Sequence, residues 1–189
     1  MITKSKICRL NESQVGLIVV DLQERFVPVI SGWSEVVQSS IRLIRFFNLL
    51  KAPILATEQY PKGLGKTVAE IQSEFDVAQV KALEKTTFSC VGAPGFIEAL
   101  TATGRTQWVL CGIETHVCVP QTAIELLERG MEVWVPVDAV GSQHAMDREA
   151  ALNRLTQSGA VLSSVQSLVF EVLRDAKHPL FKATSALVK

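Results

Sequence analysis

The sequence predicts an α/β protein, a parallel sheet with helices on both faces. Three observations predict it. Short apolar runs of strand type alternate with stretches of helical spacing, the pattern of βαβ units. The first run, Val15–Val20, is continuous and β-branched, as strands buried on both faces are. Glycine and proline stand where helices should stop and start.

Taken in order, Val15–Val20 ends directly in Asp21. Val36–Leu50 carries apolar residues at 36, 37, 41, 43, 44, 46, 47 and 50, the spacing of one helical face. Pro53 opens a second short strand, Ile54–Ala56, and PKGLGKT after it reads as a flexible loop. Val77–Ala82 reads as a third strand leading to Glu84 and Lys85. Pro94 opens a helix to about Thr101, closed by Gly104. Trp108–Cys111 is the fourth strand, ended by Gly112, and Pro120–Arg129 is its helix, beginning near Val119 and stopped by Gly130. Glu132–Val137 is the fifth strand. His144–Gln157 is a helix ended by Gly159, Ala160–Leu162 begins a sixth strand, and Ser164–Arg174 is the last helix.

A chain of 189 residues is most simply one domain over 1–189, long enough to bury roughly 70% of its unfolded surface. Lys+Arg and Asp+Glu are both 19, so no excess of positive charge points to nucleic acid or an acidic membrane. Zero net charge with 48% hydrophobic residues suggests that a second copy covers some apolar surface, as a dimer or higher homo-oligomer. The N-terminus has no long apolar segment and no run reaches the length of a membrane span, which implies a cytoplasmic protein. Cys8, Cys90, Cys111 and Cys118 lack CxxC spacing, so neither a zinc site nor a thioredoxin motif is indicated.

Cys118 is the residue around which a function can be built. It follows a strand and precedes a helix, with Pro120 in the first helical turn. Free N–H groups and the positive end of the helix dipole gather there, which should push a thiol toward thiolate. Elsewhere a free cysteine is usually buried filler, but this position is where open α/β sheets place ligands. Asp21 ends the first core strand, and the first and fourth strands often flank the switch point of such sheets, so Asp21 and Cys118 should face one crevice. Lys85 alone would read as a surface charge. Gly65-Lys66-Thr67 imitates a phosphate-binding loop but lacks its first glycine, because position 60 is Tyr60. No pair among His116, His144 and His178 has metal spacing, and His116 suits a structural or substrate-facing place.

With VVDLQERF around Asp21, EKTTFS around Lys85 and LCGIETHVCVPQTA around Cys118, the chain resembles the isochorismatase-like cysteine hydrolases from about Val15 to Leu173. TEQYPKGLG, GIETHVC and DAKHP make it most similar to the family's isochorismatase-domain proteins of unknown substrate. The resemblance implies a three-layer α/β/α fold with a six-stranded parallel sheet, order 3-2-1-4-5-6. It implies a catalytic triad of Asp21, Lys85 and Cys118. It also implies a cis peptide at Ile113–Glu114 that aims the Glu114 and Cys118 N–H groups at an oxyanion. Phe26 matches the aromatic wall of the family's pocket, with Gln23 beside it, and Tyr60 belongs to the loop that shapes the substrate site. Nicotinamidases of the family hold a metal with Asp-x-His after the second strand. Here Gln59 and Pro61 stand at those positions, so no metal or other cofactor is expected.

These residues suit cleavage of an amide-type C–N bond in a small molecule through a thioester. Moving a proton from an ordinary Cys to an ordinary Asp spans about 4.6 pKa units, roughly 6 kcal/mol uphill. A helix terminus supplies about 1–2 kcal/mol at best, so a cation is needed, and Lys85 is the natural one. A vinyl-ether hydrolase that does without Cys118, and a non-catalytic binding protein on the same fold, are the competing readings. Ribonuclease activity fits less well, since the chain lacks a basic, aromatic-rich stripe.

Overall fold

The structure is a computed structural model that describes residues 9–188. Cys8 and most of the segment read above for a leader lie outside the described residues. The elements are β1 (Val15–Val20), α1 (Trp33–Leu49), β2 (Ile54–Gln59), α2 (Pro61–Leu64), α3 (Ala69–Ala78), β3 (Leu83–Lys85), α4 (Phe96–Ala102), β4 (Gln107–Ile113), α5 (Cys118–Glu128), β5 (Glu132–Pro136), β6 (Val140–Gly141), α6 (Ala145–Gln157), β7 (Val161–Ser163), α7 (Val165–Leu173) and α8 (Phe181–Leu187).

The sheet runs β3-β2-β1-β4-β5-β7, and every pairing is parallel. This is the expected three-layer architecture and order. The strand number is seven rather than six, because the two residues of β6 pair with the end of β4 off the main path.

Period-two alternation sorts the core into two layers. Val15, Leu17 and Val19 of β1, with Val109, Cys111 and Ile113 of β4, pack against α1, α3 and α7. Ile18 and Val20, with Trp108 and Leu110, pack against α4, α5 and α6. All six residues of β1 and all seven of β4 are buried, which is why their sequences read as continuous apolar runs rather than alternating ones.

Three stretches depart from the sequence reading. Ser164–Arg174 is not the last helix, since Phe181–Leu187 forms α8 and its Phe181 and Leu187 pack on the α1 side of the core. Val77–Ala82 is not a strand. Ile71 and Phe75, one helical turn apart, bury themselves against the α1 side and extend a helix to Ala78. Gln79 ends it with a φ of 56°, and the strand begins only at Leu83. PKGLGKT is not a loose loop either. Gly65 O accepts from Gln23 Nε2 at 2.7 Å and Lys66 O from Glu24 N at 3.0 Å. Buried Glu58 accepts from Thr67 N at 2.7 Å and from Thr67 Oγ1 at 2.8 Å.

Close approach of β1 and β4 depends on Gly112. Its φ is +113°, and a Cβ there would lie 2.0 Å from the Val20 carbonyl oxygen. Gly112→Ala therefore forces the two central strands apart, and we expect it to cost more than about 2 kcal/mol of stability. Urea unfolding measures this, and an unchanged midpoint would contradict the register.

Candidate active site

Side chains from four chain segments meet at the carboxyl end of the sheet, where β1 and β4 lie side by side and the order of strands reverses. Asp21 follows β1 with a φ of 52°, a conformation that aspartate tolerates better than most residues. Its N–H donates to Thr57 O at 3.2 Å. Lys85 is the last residue of β3 and stands in register beside Gln59, the last of β2. Cys118 is the first residue of α5, one position before the predicted start.

Lys85 Nζ lies 2.7 Å from Asp21 Oδ2 and 3.6 Å from Cys118 Sγ. The sequence-predicted three are thus together, and all are buried, with exposures of 1% for Asp21, 3% for Lys85 and 6% for Cys118. A buried ammonium needs acceptors for its three protons. Besides Asp21 it finds Gln59 Oε1 at 2.6 Å and Phe88 O at 3.0 Å. Burial alone would push the Lys85 ammonium down. Asp21, with smaller contributions from Cys90 and Cys118, more than offsets this and holds it above its ordinary value, so it serves as a fixed cation.

The thiol corrects an expectation. A cysteine at a helix N-terminus beside a lysine should lean toward thiolate. Instead burial, and then the Asp21 carboxylate, push Cys118 well above its ordinary value, and the opposing pull of Lys85 does not prevail. The resting group is a neutral thiol beside a carboxylate. Cys90 is raised to about 11 by burial, and Cys111 to about 12.

The remaining predicted residues fall in different places. The Ile113–Glu114 peptide is cis. Thr115 N donates to Gly141 O at 2.8 Å, while Val117 N and Val119 N both donate to Glu114 O. Among the described residues, no backbone carbonyl takes the N–H of Glu114 or of Cys118. The Glu114 carboxylate accepts from Gln143 N at 3.2 Å, and His116 Nδ1 lies 3.1 Å from Ser142 Oγ, tying this loop to the segment after β6. Gln23 is fully buried. Its amide donates to Gln59 O and Gly65 O and accepts from Gln59 N, so it braces β2 rather than facing an open pocket. Phe26 packs half-buried against the α1 layer. Tyr60 is 53% exposed and walls a cavity of about 340 Å³ with Pro61, Lys62, Glu84 and Lys85. Asp21 and Cys118 are not on that wall. A larger cavity of about 550 Å³, between the start of α1 and Arg148, has none of the three on its walls.

Sequence reasoning missed Thr57, Cys90 and the part played by Gln59. Thr57 Oγ1 donates to Asp21 Oδ1 at 2.7 Å and lies 3.3 Å from Cys90 Sγ. The usable signal was the polar run Thr57-Glu58-Gln59 at the end of an apolar strand, where alternate side chains share a face. A metal does not fit at Gln59 and Pro61, because the Gln59 oxygen is taken by Lys85 and Pro61 has no ligating side chain. Among the described residues, no group of three or more His, Cys, Asp or Glu could hold a metal ion, and no helix is long and apolar enough to cross a membrane.

Comparison with known proteins bears on the family and the fold. The isochorismatase domain family matches residues 15–167. The chain is 42% identical over 181 residues to isochorismatase domain-containing protein 2A of Mus musculus, covering 95% of this chain and 84% of that one. It is similar to the solved structure of a MAR1 ribonuclease from Caenorhabditis elegans, with 37% identity, a TM-score of 0.89 and coverage of 96% and 92%. The YcaC gene product of Escherichia coli, described as an octameric hydrolase of unknown specificity, matches at 26% identity with a TM-score of 0.87, covering 97% of this chain and 90% of that one.

A thiol and a carboxylate in contact titrate as a pair. The rate of Cys118 alkylation by iodoacetamide should therefore rise with pH in two steps: an acid one as the pair loses its first proton, and an alkaline one as thiolate forms beside carboxylate. In Asp21→Asn we expect one step, with its midpoint about 1–3 units below the wild-type alkaline step. Peptide-resolved mass spectrometry reads this out. An alkaline midpoint unmoved in the variant removes Asp21 from the pair.

Proposed function

The chain belongs to the isochorismatase family, a hydrolase fold, and we propose that it is a cysteine hydrolase that cleaves an amide-type C–N bond of a small molecule through a thioester. The observation that carries this is the Lys85 ammonium, 2.7 Å from the Asp21 carboxylate and 3.6 Å from the Cys118 sulfur.

In this reading Asp21 takes the Cys118 proton as the sulfur attacks the substrate carbonyl, so that thiolate never accumulates. Lys85 stabilises the charge on sulfur as it develops. The oxyanion is received by the Glu114 and Cys118 N–H groups, which have no backbone acceptor among the described residues. Asp21 passes its proton to the leaving nitrogen, the C–N bond breaks, and the acyl group remains on sulfur. Water then attacks the thioester, Asp21 takes its proton, and the C–S bond breaks. The proton returns to the sulfur and the acid leaves. No metal or cofactor takes part in these steps.

Free Cys90, Cys111 and Cys118 suit a reducing cytoplasm. Assembly as a dimer or higher homo-oligomer would cover exposed apolar residues such as Val27, Val29 and Met146, and the E. coli relative is described as an octamer. The name of the C. elegans relative raises a second reading, hydrolysis of RNA.

The test is a panel of small amides, ureas and vinyl ethers, with an RNA arm, on wild type and Cys118→Ala. Amine or ammonia release from at least one amide, cut at least about a thousandfold in Cys118→Ala, is expected, together with an acyl adduct at Cys118 by intact mass. Full turnover by Cys118→Ala, or cleavage of RNA with no amide turned over, overturns the proposal.

A further inference from the structure

We propose that Thr57, backed by Cys90, is a reversible hydrogen-bond partner for Asp21, satisfying that carboxyl group both before and after it takes the Cys118 proton. The inference rests on the reading of Asp21 as the base.

The argument is one of counting protons. An ionised carboxylate only accepts, whereas a threonine hydroxyl has one proton to give and two lone pairs. With Asp21 charged, the single Thr57 proton points to Asp21 Oδ1, 2.7 Å away. The Cys90 thiol, 3.3 Å from Thr57 Oγ1, must then be the donor to that oxygen. Its neutral state is secured by complete burial. The chain of hydrogen bonds runs Cys90 S–H to Thr57 O–H to Asp21.

Once Asp21 holds a proton it has a donor of its own. The hydroxyl and thiol can both turn, and the chain then runs Asp21 O–H to Thr57 O–H to the Cys90 sulfur. No heavy atom moves, and Asp21 Oδ1 and Thr57 Oγ1 keep a partner in either state, which matters where Thr57 and Cys90 are 2% and 0% exposed. Cys90 is itself held by its N–H, which donates to Thr122 Oγ1 at 2.9 Å. That hydroxyl in turn donates to Cys118 O at 2.7 Å. The charged or titratable groups facing Asp21 are Lys85 from β3, Cys118 from α5 and Cys90 from the turn after β3. Thr57 stands between Asp21 and Cys90, and its hydroxyl can reverse the direction of both hydrogen bonds. It acts through Asp21 and is a positioning residue.

The experiment needs no substrate. In Thr57→Val the charged form of Asp21 loses a donor, so the acid step of the Cys118 alkylation profile should move up by about one to two pH units. Thr57→Ser, which keeps the hydroxyl, should restore the wild-type step. Cys90→Val, which can neither give nor accept, should slow alkylation several-fold at the plateau between the steps, and Cys90→Ser should recover it. Thermal melting of each variant separates these effects from unfolding, and the Cys90 pair carries the test if Thr57→Val does not fold. An acid step that stays in place in folded Thr57→Val, or a plateau unchanged in Cys90→Val, overturns the relay. If wild type itself shows no acid step, it is the assignment of Asp21 as base that fails.

Discussion

A lysine ammonium and an aspartate carboxylate, 2.7 Å apart and almost wholly out of water, set the terms for what surrounds them. Removing one member of such a pair strands the other and costs about 3–5 kcal/mol. Both ions therefore need every remaining lone pair and proton met. The neighbouring polar groups follow from that need: Gln59 and the Phe88 carbonyl on the lysine, Thr57 on the aspartate. Gln59 is in turn fixed by Gln23 and by the Thr86 carbonyl, so the support extends from β3 through β2 to the chain after β1.

The same pair governs the sulfur. A helix terminus contributes at most about 2 kcal/mol, and only within the first or last turn. Burial of the thiol first, and then the carboxylate charge of Asp21, outweigh it. Cys118 therefore keeps its proton at rest, against what its place at the mouth of α5 suggests. That outcome is compatible with the proposed chemistry: a thiol that keeps its proton at rest can give it up to a nearby carboxylate as the bond to carbon forms, and no reactive anion stands exposed meanwhile. The cavity near Tyr60 has Lys85 on its wall but neither Asp21 nor Cys118.

Gln59 links the fold to the chemistry more directly than any residue beyond the central three. Its position follows from the parallel register of β2 and β3, which places it opposite Lys85. In this chain an amide oxygen meets an ammonium there, and the local charge balance is closed without a further cation.

Much of the architecture was legible from the chain itself. Val15–Val20 and Trp108–Cys111 are continuous apolar runs because both faces of a central parallel strand are covered, and that physical demand leaves a plain mark in composition. Asp21 stood out because it directly follows such a run, and Cys118 because it stands between one and the helix after it. Short-range pattern could not show that Ile71 and Phe75 would draw Val77 and Ala78 into α3, since the competition is settled by packing against α1. Nor could it show that PKGLGKT is pinned by Glu58 and Gln23, or that Cys90 ends beside Thr57, because those contacts join residues 9 to 42 positions apart. Residue types and local order determined which elements form and which side chains end them. The tertiary structure alone decided the protonation of Cys118 and the partners of Lys85, because both depend on distances and exclusion of water that arise only when separate strands are laid side by side.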